Sequence, residues 1–205
     1  MNDITTLDQL REMYPQPTGV VELKSLTKLE KHCRNFISQS PFLVIATGDV
    51  DGRQDASPKG DAPGFVRVVD DNTILIPDRI GNNRADSLVN ILSNPHVGVI
   101  FFIPGIGETL RVNGRASLVA DPALLESFTV QGKQPKLIIR VQVEEAYLHC
   151  AKAIIRSKLW QDDNKIDRKD FPTLGRMVAD QIESMKIDAD EADARLEESY
   201  RDRLY

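Results

Sequence analysis

The chain has 205 residues, of which 41% are hydrophobic and 28% are charged, a composition typical of a globular protein and not of a disordered or fibrous one. Its formal charge is -5, and residues 188–205 hold seven acidic residues against three arginines, so the remainder is nearly neutral. This balance argues against a general nucleic-acid surface, and no apolar run is long enough to cross a bilayer.

The location of the protein is predicted from its cysteines and from its first residues. Residues 1–10 lack the cationic stretch followed by an apolar stretch that marks a secretory signal. Cys33 and Cys150 are the only cysteines, and they form no CxxC pair. Both observations favour a cytoplasmic protein.

Two helical patterns open the chain. The first places Leu7, Leu10 and Met13 behind Thr6, with Gln9 positioned for a capping box. The second follows Ser25 and carries an apolar stripe made of Leu26, Leu29, Cys33, Phe36 and Ile37. Because Cys33 falls on this stripe, we interpret it as a small core residue.

Short β-rich segments separated by turn residues follow and predict a barrel. The predicted strands cover residues 42–47, 54–57, 65–69, 73–77, 97–103, 109–119 and 137–143. Asp51-Gly52 and Asp70-Asp71-Asn72 are typical of hairpin turns, so each of the first two strand pairs should be antiparallel.

Helices are predicted within and after these strands. One covers residues 83–92 and ends before Asn94-Pro95, and another follows the cap Asp121-Pro122. Later helices are predicted over residues 147–160, 174–185 and up to 205, with a polar loop over 161–169. The expected fold is therefore mixed α+β and mainly β, an antiparallel split barrel with N-terminal and C-terminal helices.

A phosphate site is one interpretation of the segment that follows the fourth predicted strand. A glycine-bearing turn leads into a helix, whose free N–H groups and positive dipole end are joined by Arg79 and Arg84. The alternative is purely structural, in which Asn83 and Asp86 cap the helix and Arg84 is a surface charge.

Two further groups of residues suit a planar ligand. Ser57 and Lys59 alternate onto one face of a strand and could meet the polar edge of a planar ring, although residues 58–61 are also typical of a surface turn. The helix predicted over residues 147–160 places Lys152, Arg156 and Trp160 on one face. They could present two cations and an aromatic ring to such a ligand. The alternative is a packing helix with solvated cations.

Metal binding is not expected. His149 and Cys150 are adjacent and would point about 100° apart on a helix, and no other cysteine or HxxxH spacing completes a tetrahedral site. His32 and His96 are interpreted as structural histidines.

Strand by strand, residues 25–160 resemble the FMN-binding split barrel of the pyridoxamine 5'-phosphate oxidase-like superfamily. Asn82-Asn83-Arg84, followed by Asn94-Pro95, is similar to the family segment that holds the flavin phosphate, and residues 113–116 are similar to the next strand. Residues 55–61 and 149–160 resemble signatures of an uncharacterised subgroup of these flavoproteins. The chain departs from the true pyridoxamine phosphate oxidases in residues 201–205, where those enzymes carry a substrate-binding segment.

The resemblance implies a single FMN-binding domain over residues 1–205, with its core at about 25–160 and a helical extension over 161–205. It implies a homodimer with two flavins at the interface, without a nucleic-acid or membrane partner. The implied phosphate ligands are Asn83, Arg84 and Arg79, and the implied ring ligands are Ser57 and Lys59. Thr109 and Arg111 would contact the flavin from the neighbouring strand, and Arg156, Ser157 and Trp160 would cover it from the partner chain.

The expected function is that of an FMN-dependent oxidoreductase acting on an unidentified small molecule, with a reduced nicotinamide as one candidate electron donor. The alternatives are a non-catalytic flavin-binding or flavin-storing protein, a pyridoxamine 5'-phosphate oxidase, and a tetrapyrrole-binding protein on the same barrel. A deazaflavin in place of FMN also remains open.

Overall fold

Seven antiparallel strands form the centre of the computed structural model, which describes residues 3–205. The strands are β1 (Phe42–Gly48), β2 (Gln54–Gly60), β3 (Arg67–Val68), β4 (Thr73–Asp78), β5 (His96–Phe102), β6 (Thr109–Val119) and β7 (Leu137–His149). Their order in the sheet is β2-β1-β5-β6-β7-β4-β3. The prediction of seven strands in a mixed α+β split barrel is confirmed, and both predicted hairpins join antiparallel neighbours.

The main core lies on one face of this sheet. Alternate residues of β1 and β5 are buried there, among them Leu43, Ile45 and Phe101, each with 0% of its surface exposed. Apolar alternation with a period of two produces this arrangement, because successive strand side chains point to opposite faces. Gly114 lies at a register shift between β6 and β7, where a Cβ would collide with the backbone of Gln142.

The N-terminal region contains three helices: α1 (Leu7–Met13), α2 (Val20–Leu23) and α3 (Lys31–Gln39). The capping box of α1 between Thr6 and Gln9 is confirmed. The second helix was predicted to follow Ser25, which is wrong: α3 begins at Lys31, after its cap Glu30. Leu26 exchanges backbone hydrogen bonds of 3.0 and 2.7 Å with Ala146 instead, so this segment is extended against the sheet.

Cys33 is a core residue, as predicted. It lies on α3 with 2% of its surface exposed. Burial raises the pKa of the Cys33 thiol to about 11, so at neutral pH this cysteine is protonated and packs as an apolar group.

Two helices interrupt the strands: α4 (Asp86–Ser93) and α5 (Pro122–Ser127). Asp121 caps α5 by accepting from the Leu124 N–H at 2.8 Å, as predicted. The predicted start of α4 at Asn83 is wrong, because Asn83 and Ala85 have left-handed backbone angles (φ 60° and 57°) that no helix accommodates.

The helix predicted over residues 147–160 is also wrong. Its first part continues β7, since Tyr147 pairs with Arg111 and His149 with Thr109. Only α6 (Lys152–Ser157) is helical, and Lys158 ends it with a left-handed φ of 50°. Trp160 therefore does not share a helix face with Lys152 and Arg156.

The C-terminal region contains α7 (Leu174–Gln181) and α8 (Ala189–Asp202), which pack on each other. They approach closely at Gly175, whose N–H donates to Asp193 Oδ1 at 2.8 Å. The predicted helix over 174–185 ends at Gln181 and is followed by a 3-10 turn, Glu183–Met185. In the part of the chain that the structure describes, no helix has the length and apolarity to span a membrane.

Side chains join the edge strand β2 to the end of β4, which forms a free edge beyond its two-residue pairing with β3. The Lys59 ammonium lies 2.8 Å from Asp78 Oδ1, with 18% and 16% of the two side chains exposed. The Arg79 Nε donates to Asp61 Oδ2 at 2.9 Å, with 14% and 3% exposed. These shielded ion pairs hold the two edges together where the sheet has no ladder of backbone hydrogen bonds.

We expect the contributions of Lys59 and Asp78 to stability to be coupled, so that losing both partners costs less than the sum of the two single losses. Lys59→Met leaves the Asp78 carboxylate shielded and unpaired, which should cost about 2 kcal/mol in the free energy of unfolding. The double variant Lys59→Met/Asp78→Leu should lose at least about 1 kcal/mol less than the sum of the single variants. Urea denaturation measures the free energy of unfolding of the two single variants and of the double variant.

Lys165→Met is the matched control for this cycle. It breaks an ion pair with Asp162 that is exposed on both sides, so its effect should stay within about 0.5 kcal/mol. Strict additivity of the Lys59 and Asp78 substitutions would contradict the proposed coupling.

Candidate functional site

A cleft of about 840 Å³ lies at the opening between the sheet edges. Its walls come from β2, from β4 with the turn that follows it, from the start of α4, from the start of β7, and from residues 204–205. Five of the residues predicted for a flavin site line this cleft: Ser57, Lys59, Arg79, Asn83 and Arg84. Residues from distant parts of the chain therefore meet at one place.

Strand β2 presents alternating side chains to the cleft. Asp55, Ser57 and Lys59 are half-buried, whereas the residues between them are exposed. The predicted alternation is confirmed. The alternative of a surface turn over residues 58–61 is wrong up to Gly60, because β2 continues to that residue in register with β1.

Arg79 is held by several groups at the base of the cleft. Besides the ion pair with Asp61, its Nη1 donates to the Phe128 carbonyl oxygen at 2.9 Å. Its guanidinium carbon lies 5.5 Å from the centre of the Tyr205 ring. The charge of Arg79 is thus compensated within the protein, and its position is set by contacts with three other segments.

The turn before α4 contains Asn83 and Arg84. The Asn82 Oδ1 accepts from the Arg84 N–H at 3.1 Å, while the Arg84 guanidinium points outward and pairs with Asp86 at 2.9 Å. This hydrogen bond with Asp86 raises the pKa of Arg84. Ala85 is the N-cap residue and supplies no side-chain acceptor to the first turn of α4.

Ser87 and Lys136 line the same wall and were missed by the sequence analysis. Ser87 is only 6% exposed, and it lines the cleft from the first turn of α4. Lys136 Nζ donates to Asn83 Oδ1 at 3.2 Å. The position of Ser87 in the first turn of the helix was a usable signal, whereas nothing in the sequence connects Lys136 to a turn 53 residues earlier.

Asn90 fixes the position of α4 against the sheet. It is 6% exposed, and its Nδ2 donates to Thr47 Oγ1 at 3.1 Å and to Asp55 Oδ2 at 2.8 Å. Because a buried amide of this kind is satisfied only in one arrangement, these bonds orient the start of α4 toward the cleft.

The charges around the cleft balance. The lining residues include four cationic and four acidic side chains: Lys59, Arg79, Arg84 and Lys136, and Asp55, Asp61, Asp78 and Asp86. Three of the cations pair with carboxylates of the cleft. Lys136 contacts an amide oxygen instead, and Asp55 accepts from the Asn90 amide, so neither forms an ion pair with another described residue. The Lys136 charge lies beside the turn before α4.

The other five predicted residues lie away from this cleft: Thr109, Arg111, Arg156, Ser157 and Trp160. Arg111 lies over the ring of Tyr147, its paired residue on β7, at 5.5 Å. The Trp160 indole N–H donates to the Ile106 carbonyl oxygen at 2.8 Å. These residues are grouped around the start of β6, the end of β7 and α6.

Metal-ligand clusters were searched among the residues that the structure describes, and no group of three or more His, Cys, Asp or Glu side chains is placed to hold an ion. The cleft offers hydroxyl, amide and cationic groups to a ligand, together with three carboxylates paired with cations and the Asp55 carboxylate, which accepts from the Asn90 amide.

Several solved structures have a similar fold. HupZ from Group A Streptococcus is 22% identical, with a TM-score of 0.47, and the match covers 58% of this chain and 92% of that chain. General stress protein 26 from Bacillus anthracis is 17% identical, with a TM-score of 0.43, and the match covers 56% of this chain and 88% of that chain. An FMN-binding protein from Syntrophomonas wolfei is 10% identical, with a TM-score of 0.44, and the match covers 69% of this chain and 95% of that chain. A sequence comparison with curated proteins finds no match.

The sequence itself carries a family signature over the strands that build the cleft. The family model described as pyridoxamine 5'-phosphate oxidase matches residues 29–150, a range that runs from two residues before α3 to the residue after β7. This range is more than half of the chain and includes β2, β4 and α4. The chain thus belongs to the pyridoxamine 5'-phosphate oxidase family.

Proposed function

We propose that the cleft binds FMN and that the protein is an oxidoreductase, transferring hydride or electrons between the flavin and a small molecule. Family membership supports flavin binding. The cleft volume of about 840 Å³ lies within the range of about 300–1,000 Å³ that is typical of sites for ligands of this size. When bound, FMN would supply the redox chemistry, and the chain would bind and orient it.

The placement of Ser87 beside Arg84 and Lys136 is the observation that carries this proposal. Ser87 lies in the first turn of α4, where N–H groups and the helix dipole favour an anion. Its hydroxyl can donate a hydrogen bond to an anion bound there. Arg84 and Lys136 stand on the same wall. Together these groups suit the phosphate of FMN, with Asn83 positioning Lys136.

Ser57 and Lys59 would then contact the flavin ring, from the face of β2 that is directed into the cleft. The Lys59 ammonium favours negative charge on a nearby ring edge, and Asp78 opposes it. Arg79, whose charge is compensated by Asp61, would position this wall and contribute less to the phosphate than Arg84 does.

In a homodimer, the second group of predicted residues could contact the flavin. Thr109, Arg111, Arg156, Ser157 and Trp160 do not line the cleft of their own chain. We propose that they cover the flavin bound by the partner chain, so that each site is complete only in the dimer.

The test of the proposed function has two steps. Mass spectrometry of ligand released from freshly purified protein should identify FMN, whereas a deazaflavin or a tetrapyrrole would contradict it. The FMN-loaded protein is then supplied with reduced nicotinamides and oxygen. Turnover supports an oxidoreductase, its absence with intact bound FMN supports a flavin-storing protein, and efficient oxidation of pyridoxamine 5'-phosphate would identify the vitamin-processing activity.

The phosphate site predicts different losses for two flavins. Arg84→Ala and Ser87→Ala should each weaken FMN by about tenfold, because each removes a contact to the phosphate, and should leave riboflavin almost unchanged. Quenching of flavin fluorescence measures both affinities. Arg53→Ala, at an exposed hairpin outside the cleft, is the control. Equal losses for FMN and riboflavin would remove these residues from the phosphate site.

The pair at the ring edge predicts opposite shifts of the flavin midpoint potential. Lys59→Met should lower it by about 30 mV, which for a two-electron couple corresponds to about 1.4 kcal/mol. Asp78→Asn should raise it, because a negative charge near the ring is lost. Both variants should retain FMN, and Lys31→Met, an exposed residue on α3, should leave the potential unchanged. Unchanged potentials in both variants would place Lys59 away from the ring.

The shared site predicts that dimer dissociation and flavin release are linked. A ligand that contacts both chains binds the dimer more tightly than the monomer, so added FMN should shift the equilibrium toward the dimer. Sedimentation at decreasing protein concentration, with and without FMN, measures this shift. A stable monomer that binds FMN with the full affinity would exclude a shared site.

A further inference from the structure

Residues 203–205, which follow α8, extend into the cleft. Leu204 and Tyr205 are lining residues, although the opposite walls of the cleft come from the first half of the chain. The Tyr205 hydroxyl donates to Asp61 Oδ1 at 2.7 Å, across a sequence separation of 144 residues. The Tyr205 ring also lies beside the Arg79 guanidinium.

Asp61 binds Tyr205 and Arg79 at the same time. One carboxylate oxygen accepts from the Tyr205 hydroxyl and the other from Arg79 Nε, and only 3% of the Asp61 side chain is exposed. A hydrogen bond to a shielded carboxylate is stronger than one between neutral groups. This hydrogen bond raises the pKa of Tyr205, so the phenol keeps its donor proton throughout the neutral range.

The position of residues 203–205 depends on the hydrogen bond between Tyr205 and Asp61, because α7 and α8 pack mainly on each other. The two helices contact each other more extensively than they contact any strand of the sheet. Tyr205 links them to β2 and β4 through Asp61 and Arg79. Without the Tyr205 hydrogen bond, residues 203–205 would lose their polar contact with the cleft wall.

We propose that residues 203–205 form a strap across the cleft, and that Tyr205 determines the size of the molecules that enter. Its phenol hydrogen bond holds the strap in place, and its ring occupies space that a large molecule must cross. This inference goes beyond the proposed function, because it depends on the cleft and not on the identity of its ligand.

The test measures access to a thiol placed inside the cleft. Ser57→Cys introduces it on β2, and Cys150→Ser removes the exposed native thiol. Cys33 should stay unreactive because it is buried and has a raised pKa. On flavin-free protein, the rates of labelling by N-ethylmaleimide and by the much larger fluorescein maleimide are compared. The two reagents share one chemistry, so their rate ratio reports the size of the opening.

Tyr205→Ala should raise the fluorescein maleimide rate by about tenfold and the N-ethylmaleimide rate by about twofold or less, because the barrier concerns the larger molecule. Tyr205→Phe keeps the ring and loses the hydrogen bond, so it should give a smaller increase of the same sign. Tyr200→Ala, at an exposed tyrosine of α8, is the matched control and should change neither rate.

An unchanged rate ratio in Tyr205→Ala would overturn the strap. If circular dichroism shows that Tyr205→Ala is unfolded, Tyr205→Phe is used instead. A labelling rate ratio in Tyr205→Phe equal to that of the Ser57→Cys/Cys150→Ser protein that keeps Tyr205 would then overturn the inference. FMN titration of the wild-type protein separates the two proposals. Failure of the wild-type protein to bind FMN would contradict the proposed function, while the labelling ratios of the Ser57→Cys proteins would still report on the strap.

Discussion

Two shielded ion pairs at the opening of the sheet determine the geometry of the whole site. Lys59–Asp78 and Arg79–Asp61 connect β2 to the end of β4, where the sheet is not continued by paired strands. Side chains can join two edges and still leave space between the backbones, which a continuous hydrogen-bonded ladder cannot do. The cleft is therefore a consequence of how the two edges are joined.

The same pairs decide where the cleft can attract an anion. Because Lys59 and Arg79 are each matched by a carboxylate, the base of the cleft carries little net charge. The start of α4 differs, since Lys136 and Ser87 lie there beside the positive dipole end of the helix. A ligand with a phosphate at one end and a neutral planar ring at the other matches this distribution of charge.

Most elements could be predicted from local patterns, and the errors have physical causes. The strands follow from apolar alternation, and the caps at Thr6 and Asp121 from local hydrogen bonding. The helix predicted over residues 147–160 fails because Tyr147 and His149 pair with β6, and this gain outweighs their helical periodicity. The helix predicted from Asn83 fails because left-handed residues at 83 and 85 form a turn.

The sequence by itself determined the strands, the caps at Thr6 and Asp121, and the alternation of Ser57 and Lys59 on β2, because each depends on neighbours within a few residues. Only the tertiary structure decided which charges are compensated and which distant residues share the cleft. Asp78, Lys136 and Tyr205 reach it from segments far apart in the chain. Contacts of this kind depend on strand order and helix packing, which leave no periodic signal in the sequence.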